Sequence, residues 1–143
     1  MPEYRGLLPK PTPESQPYWD GLRRHELCLP YCAACDVYEF YPRPFCRRCF
    51  SWDVEWRQLR GSGTLYSYAI NYRPAPGFED QVPYVIAVVE LDEGPRMMTN
   101  LLLDVMPEPG RIPVGAPVTI VYDDVTDEVT LPRFRLHTPE HGA

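Results

Sequence analysis

Apolar positions along this chain follow a helical spacing near its start and a two-residue alternation in its second half. In "PTPESQPYWDGLRRHEL", Tyr18, Trp19 and Leu22 fall on one side of a short helix. Thr12 is placed to cap it, with Pro13 at the first helical position and Glu14 in the first turn. Pro17 does not suit the interior of a helix begun at Pro13, so a second piece starting near Ser15 is the alternative. The helix is expected to dock through Trp19, on its own domain or on a partner. From residue 53 onward the pattern is that of strands. "DVEWRQL" (53–59) alternates, "GSG" (61–63) marks a break or bulge, and "TLYSYAINY" (64–72) reads as a long strand. "YVIAVVEL" (84–91) is apolar and β-branched, and the turn "DEGP" leads to "RMMTNLLLDV" (96–105) as its hairpin partner, with Met97 and Met98 filling core and surface. "APVTIVYDD" (116–124) and "EVTLPRFRL" (128–136) complete the set, with one turn at 107–113 between them and the hairpin. Asp123 and Asp124, as neighbours, point to opposite faces and read as a solvated turn. The pattern predicts a small five-stranded antiparallel barrel, an OB-fold first and an SH3-like barrel second.

One connection is too long for a hairpin. "RPAPGFEDQVP" (73–83) spans eleven residues, where about two to five suffice. Long, stiffened loops in compact domains tend to carry function. Pro74, Pro76 and Pro83 restrict this one, Arg73 and Tyr84 flank it, and Phe78 is the large apolar residue near its tip. Phe78 is expected to anchor on a partner; folding back onto the barrel is the alternative.

Between helix and strands lies "CAACDVYEFYPRPFCRRC" (32–49), two C-x2-C pairs ten residues apart. Each pair lets a tight turn present two sulfurs to one ion, and two such knuckles fill a tetrahedral zinc shell. Cys32, Cys35, Cys46 and Cys49 are therefore predicted to bind one structural zinc. A redox pair would sit once, in a strand–helix–strand context, and two disulfides suit an oxidising compartment. Asp36 and Phe50 occupy the positions where a knuckle turns left-handed; Asp tolerates this and Phe does so poorly, so the second knuckle is expected to be less regular. A ribbon of this size has almost no core, so metal supplies its folding energy. Cys28 is left over and reads as a small buried apolar residue. The resulting division is an N-terminal helical segment (1–26), a zinc ribbon (27–52) and a barrel with its tail (53–143).

Composition and charge narrow the function. With 143 residues, 44% of them hydrophobic, the chain can build a packed core, and its 18 prolines favour turns and short strands. No apolar run is long enough to span a membrane. The start lacks a secretory pattern, so a cytoplasmic location is expected. Net charge is −6, and it is uneven: residues 1–60 carry +1 and residues 61–143 carry −7. An acidic barrel opposes a nucleic-acid-binding reading, which needs a positive groove, although a zinc-ribbon/OB module of that kind remains the alternative function. Arg43, Arg47 and Arg48 form a small basic patch suited to a compact anion. His25, His137 and His141 lie outside any evident nucleophile motif, so a self-contained enzyme is not favoured.

The order of parts resembles a known family. A Trp-containing helix leads into "C-x2-C … F-x-P-R-x-x-C-x-x-C", then "G-x-G-T-x-Y-S-Y", a Pro-rich loop, "P-Y-x-x-A-x-V-E-L-D-E-G" and "V-G-x-P-V". The residues carrying it include Trp19, the four cysteines, Phe40, Pro42, Arg43, Gly61, Gly63, Tyr66, Pro83, Tyr84, Glu90, Gly94, Gly115 and Val118. This is similar to the acyl-CoA-associated family with a rubredoxin-like zinc ribbon and a C-terminal OB-fold, long known as a domain of unknown function. Asp36 and Arg47 replace the family's usual glycine and proline at the knuckles. The resemblance implies a non-catalytic accessory subunit, in a hetero-oligomer with a thiolase-superfamily enzyme: a thiolase, an acyl-CoA synthase or a retro-aldolase of steroid side chains. It implies that the complex binds or passes CoA thioesters; that neither nucleic acid nor membrane is a partner is the expectation from charge and from the lack of a long apolar run. Arg43, Arg47, Arg48, Arg73, Phe78, Tyr84 and Trp19 are the expected ligand or partner contacts.

Overall fold

A computed structural model describes residues 8–73 and 82–137. It contains one helix, α1 (Gln16–Arg23), and eight strands: β1 (Leu27–Cys32), β2 (Val37–Tyr38), β3 (Glu55–Leu59), β4 (Ser62–Asn71), β5 (Tyr84–Leu91), β6 (Arg96–Leu102), β7 (Pro117–Asp124) and β8 (Thr130–Leu136). The expected mainly-β architecture is present: a helix, a four-cysteine cluster and a closed five-stranded barrel.

The helix takes the later of its two possible starts. Ser15 is the N-cap residue and Pro17 falls in the first turn, where a missing N–H costs nothing. Thr12 still contributes from outside, its carbonyl accepting the Ser15 N–H at 3.0 Å. The helix ends in a Schellman-type closure: Glu26 N–H donates to Gly21 O at 2.8 Å and His25 N–H to Leu22 O at 2.9 Å. His25 takes the left-handed conformation there, at φ 61. Tyr18 and Leu22 are buried, and Trp19 packs beside them on this chain's own core. The Trp19 Nε1–H donates to Tyr41 Oη at 3.1 Å.

The barrel order is β4-β5-β6-β8-β7, closing back on β4. Its pairs are antiparallel except β6–β8, which run parallel through Leu101↔Phe134 and Leu102↔Arg135. That parallel pair departs from the all-antiparallel expectation; β7 folds back to close on β4, which brings β8 in beside β6. The largely apolar run of β5 resolves into strict alternation, with Val85, Ala87, Val89 and Leu91 inside. Met97 is in the core and Met98 on the surface, because adjacent strand residues face opposite ways.

Segment 53–59 does not join the barrel. Residues Glu55–Leu59 form β3 and pair with β1 from Leu27↔Leu59 to Tyr31↔Glu55, giving a separate sheet of order β2-β1-β3. Its period-2 pattern identifies a strand but not a partner. Strand β1 itself is hidden in "LCLPYC" by Pro30, a residue that argues against a central strand. Pro30 has no N–H to give, but its carbonyl accepts the Glu39 N–H at 2.9 Å.

The ribbon side is also better packed than expected. Tyr18, Leu22, Leu27, Leu29 and Leu59 are buried in the same hydrophobic cluster as Leu65, Val89 and Phe134 of the barrel. Asp123 and Asp124 are strand residues, not a solvated turn. Asp123 accepts from the buried Arg133 at 2.6 Å. Asp124 accepts from the Thr130 hydroxyl and meets His25 Nε2 at 3.0 Å, while the His25 ring stacks on Tyr122 at 4.9 Å. The helix end is thereby latched to the β7–β8 hairpin.

That latch has a pH signature. The Thr130 hydroxyl first, and His25 second, hold the Asp124 carboxyl below its ordinary value near 4. A depressed carboxylate stabilises the fold above its unfolded value and loses that contribution as pH falls through its folded one. Asp124→Asn is therefore expected to melt below the parent chain at pH 7, with the gap narrowing as pH falls below about 4. Melting curves at falling pH check it, and a gap that does not narrow as the medium is acidified contradicts it.

The four-cysteine centre and its surroundings

Cys32 ends β1, Cys35 follows in the turn, and Cys46 and Cys49 bracket a second turn. Their sulfurs all lie within 4.8 Å of one another, and Cys32 Sγ and Cys49 Sγ are 3.7 Å apart. A tetrahedron with Zn–S near 2.3 Å has edges of about 3.8 Å, so the donor set fits one zinc by geometry and by chemistry. All four corners are then protein sulfur, which leaves no position for water or substrate.

The backbone prepares both knuckles alike. N–H groups of Cys35 and Ala34 point to the Cys32 sulfur, and those of Cys49 and Arg48 to Cys46. Asp36 closes the first turn at φ 54 and Phe50 the second at φ 59. The second knuckle is thus as regular as the first, contrary to the expectation from Phe50. Two bonds enforce it: Phe50 N–H to Cys46 O at 2.8 Å and Cys46 N–H to Ser51 O at 2.9 Å. The Cys49 N–H first, then that of Arg48, and the nearby thiols lower Cys46 to about 7, against the opposing effect of burial. Cys35 is pushed up to about 12, first by the Cys49 thiol and then by burial. Such a crowded thiol set shares protons until a cation replaces them, so metal affinity rises with pH.

A second layer braces the cluster. Glu39 is buried; one of its oxygens accepts the Arg47 N–H at 3.1 Å and the other the Arg47 Nε–H at 2.9 Å. The Tyr31 hydroxyl donates to Asp36, which fixes the first knuckle. Neither Glu39 nor Tyr31 stood out in the sequence, since a lone Glu and a lone Tyr carry no spacing signal. Cys28 is half-buried, its sulfur 3.3 Å from where a Cβ on Gly21 would lie, and burial raises its pKa. It is no part of the sulfur cluster.

The expected contact residues scatter around this centre. Arg43 and Arg48 are exposed with no ion pair among the described residues, whereas the Arg47 guanidinium is committed to Glu39. Arg73 is exposed where β4 ends, and its N–H donates to Asn71 Oδ1 at 3.1 Å. Asn71 also donates to the Tyr84 hydroxyl at the start of β5, so Arg73 and Tyr84 lie together. Phe78 lies outside the described residues. Trp19 is edge-on to Tyr18 at 4.9 Å, and Tyr18 in turn packs on Phe40 and Tyr41 of the ribbon. Sequence reading passed over Phe45 and Trp52, which join Phe50 in an exposed aromatic cluster; the density of "FCRRCFSW" was its signal.

Among the described residues no helix is long and apolar enough to cross a membrane. The ChsH2 rubredoxin-like zinc ribbon domain matches residues 19–55, and the ChsH2 C-terminal OB-fold domain matches residues 56–123. A probable enoyl-CoA hydratase alpha subunit of Thermomonospora curvata is 36% identical over 95% of this chain and 42% of its own length. The 3-oxo-4,17-pregnadiene-20-carboxyl-CoA hydratase alpha subunit of Mycobacterium tuberculosis is 32% identical over 85% of this chain and 37% of its own length. The chain thus spans well under half of these two relatives. A DUF35 domain-containing scaffold protein of Methanothermobacter thermautotrophicus is 33% identical over 74% of this chain and 78% of its own length. The solved Ltp2-ChsH2(DUF35) aldolase contains a chain 33% identical to this one, with a TM-score of 0.77 over 90% of this chain and 98% of that one. With a four-sulfur ribbon, a closed barrel and these relatives, the chain belongs to the DUF35 family, in which it carries the ChsH2-type zinc ribbon and OB-fold in tandem.

Proposed function

We propose that the chain is a non-catalytic accessory subunit that assembles with a thiolase-superfamily enzyme and helps it bind or channel acyl-CoA thioesters. The observation that carries this is the nearly end-to-end match, 98% of that chain, to one component of a solved two-protein aldolase. The names of the two hydratase relatives supply the ligand class, a CoA thioester, and one of them a steroid acyl group. The zinc, one per chain, is structural, because its four ligands leave no reactive position. In this reading the chemistry resides in the partner, while His25 is stacked on Tyr122 and bonded to Asp124, and His137 is bonded to Thr119. Arg43 and Arg48 are the ribbon cations free to meet phosphate or carboxylate, and Arg73 and Tyr84 frame the loop that bears Phe78.

Co-expression with a thiolase-superfamily enzyme of the same organism tests the assignment. The two are expected to co-elute in a fixed ratio, with the enzyme less soluble or less active alone. An enzyme that is fully soluble and active alone, and never co-elutes with this chain, sinks it.

A further inference from the structure

The ribbon carries an aromatic face that the fold itself does not use. Phe50 and Trp52 are 69% and 71% exposed. Phe45 lies between them, its ring 6.5 Å from Phe50 and 5.5 Å from Trp52. Phe50 is the more telling of the three. It holds a left-handed backbone, φ 59, at a position where glycine or asparagine would sit without strain. A Phe there costs the chain stability and returns no burial in the core. Strain kept at an exposed position, with no structural return, is a mark of function.

The face is also rigid. Phe50 and Ser51 are hydrogen-bonded to both backbone ends of Cys46, and the Ser51 hydroxyl accepts the Asp53 N–H at 3.0 Å. The rings are therefore held in place by the four-cysteine knuckle and lose little freedom on binding. Two cations accompany it along the chain: Arg43 and Arg48 each stand two residues before one of the phenylalanines. Both are exposed and lack an ion pair among the described residues. Seven other arginines of this chain are paired with carboxylates, whereas these two, like Arg23, Arg73 and Arg135, have no ion pair among the described residues.

We infer that Phe45, Phe50 and Trp52, together with Arg43 and Arg48, form the face by which this chain docks on its enzyme partner, and that the partner presents an apolar socket edged by carboxylates. The inference rests on the accessory-subunit reading and specifies the surface it uses. Exposed, preordered aromatics beside arginine are the residue types that dominate protein interfaces. A nucleic acid would need a continuous basic track, whereas the adjoining barrel half carries −7.

The test uses the full zinc-loaded chain and a thiolase-superfamily enzyme of the same organism, with the dissociation constant measured by titration. Trp52→Ser and Arg48→Glu are each expected to weaken the complex about tenfold or more, with zinc content unchanged. Phe50→Gly separates binding from folding: it is expected to leave the melting temperature of the isolated chain unchanged or higher while weakening the complex. Raising salt from roughly 50 to 500 mM is expected to weaken the parent complex more than that of Arg43→Glu/Arg48→Glu. A complex that survives Trp52→Ser and Arg48→Glu overturns the inference and leaves the accessory role standing. Absence of any complex with the parent chain removes both. Self-association of the parent chain, or binding of a single-stranded oligonucleotide, that is lost in Trp52→Ser would assign the face to another occupant and overturn it as well.

Discussion

Cys35→Ser is expected to abolish zinc binding and unfold the two knuckles, while the barrel strands stay formed. The four sulfurs are within 4.8 Å of one another and each knuckle contributes two of them, so losing one leaves three ligands and a distorted shell. Metal binding is the folding energy of such a unit, and its loss costs on the order of several kcal/mol. Between Cys32 and Cys49 the chain is held otherwise by the two-residue strand β2, the buried Glu39 and the packing of Phe40 and Tyr41 on Tyr18, all on the first half of the segment. The damage is nonetheless bounded. Helix α1, β1 and β3 share a continuous cluster with the barrel, through Leu22, Leu27, Leu29 and Leu59, which does not depend on the metal. Elemental analysis is expected to give one zinc per parent chain and none for Cys35→Ser, and amide exchange is expected to show lost protection over 32–50 but not over β4–β8. A parent chain without zinc but with free thiols would refute the assignment. Cys28→Ser, in a residue outside the cluster, is the control and should keep its zinc.

Gly63→Ala is expected to destabilise the barrel by about 3 kcal/mol or more, with zinc content unchanged. Gly63 pairs with Leu91 of β5 and with Val118 of β7, so it stands where the barrel closes. A Cβ there would lie 2.2 Å from Glu90 O and 2.9 Å from Glu90 C and Leu91 Cα. Those atoms are backbone of a paired strand and cannot swing aside as a side chain could. Relief requires β4 and β5 to separate at the seam, which breaks ladder hydrogen bonds. Thermal unfolding should fall by about 10 °C for a chain of this size. An alanine variant that melts with the parent would show that the seam is looser than these distances indicate.

Several features follow from local sequence alone. The C-x2-C pairs name the metal ligands because the spacing is itself the geometry of a knuckle, whatever surrounds it. Strands β5, β6 and β7 are legible because hydrophobicity and β-branching persist over seven or eight residues, and the start of α1 because Pro17 restricts it to one turn. The division of β5 into inner and outer residues is not legible: "YVIAVVEL" is apolar on both faces, and only pairing with β4 and β6 selects its parity. The allegiance of β3 is likewise decided in three dimensions, since a period-2 pattern fixes which residues share a face but not which sheet receives them. The parallel β6–β8 contact joins strands 28 or more residues apart and has no local signal. Around the metal, spacing determined the four sulfurs, whereas the Glu39–Arg47 brace, the Tyr31–Asp36 bond and the gathering of Phe45, Phe50 and Trp52 exist only once both knuckles are folded. Ligand identity is a property of short segments; support and surface are properties of segments brought together, because burial and hydrogen bonding between them depend on distances that no single stretch of chain contains.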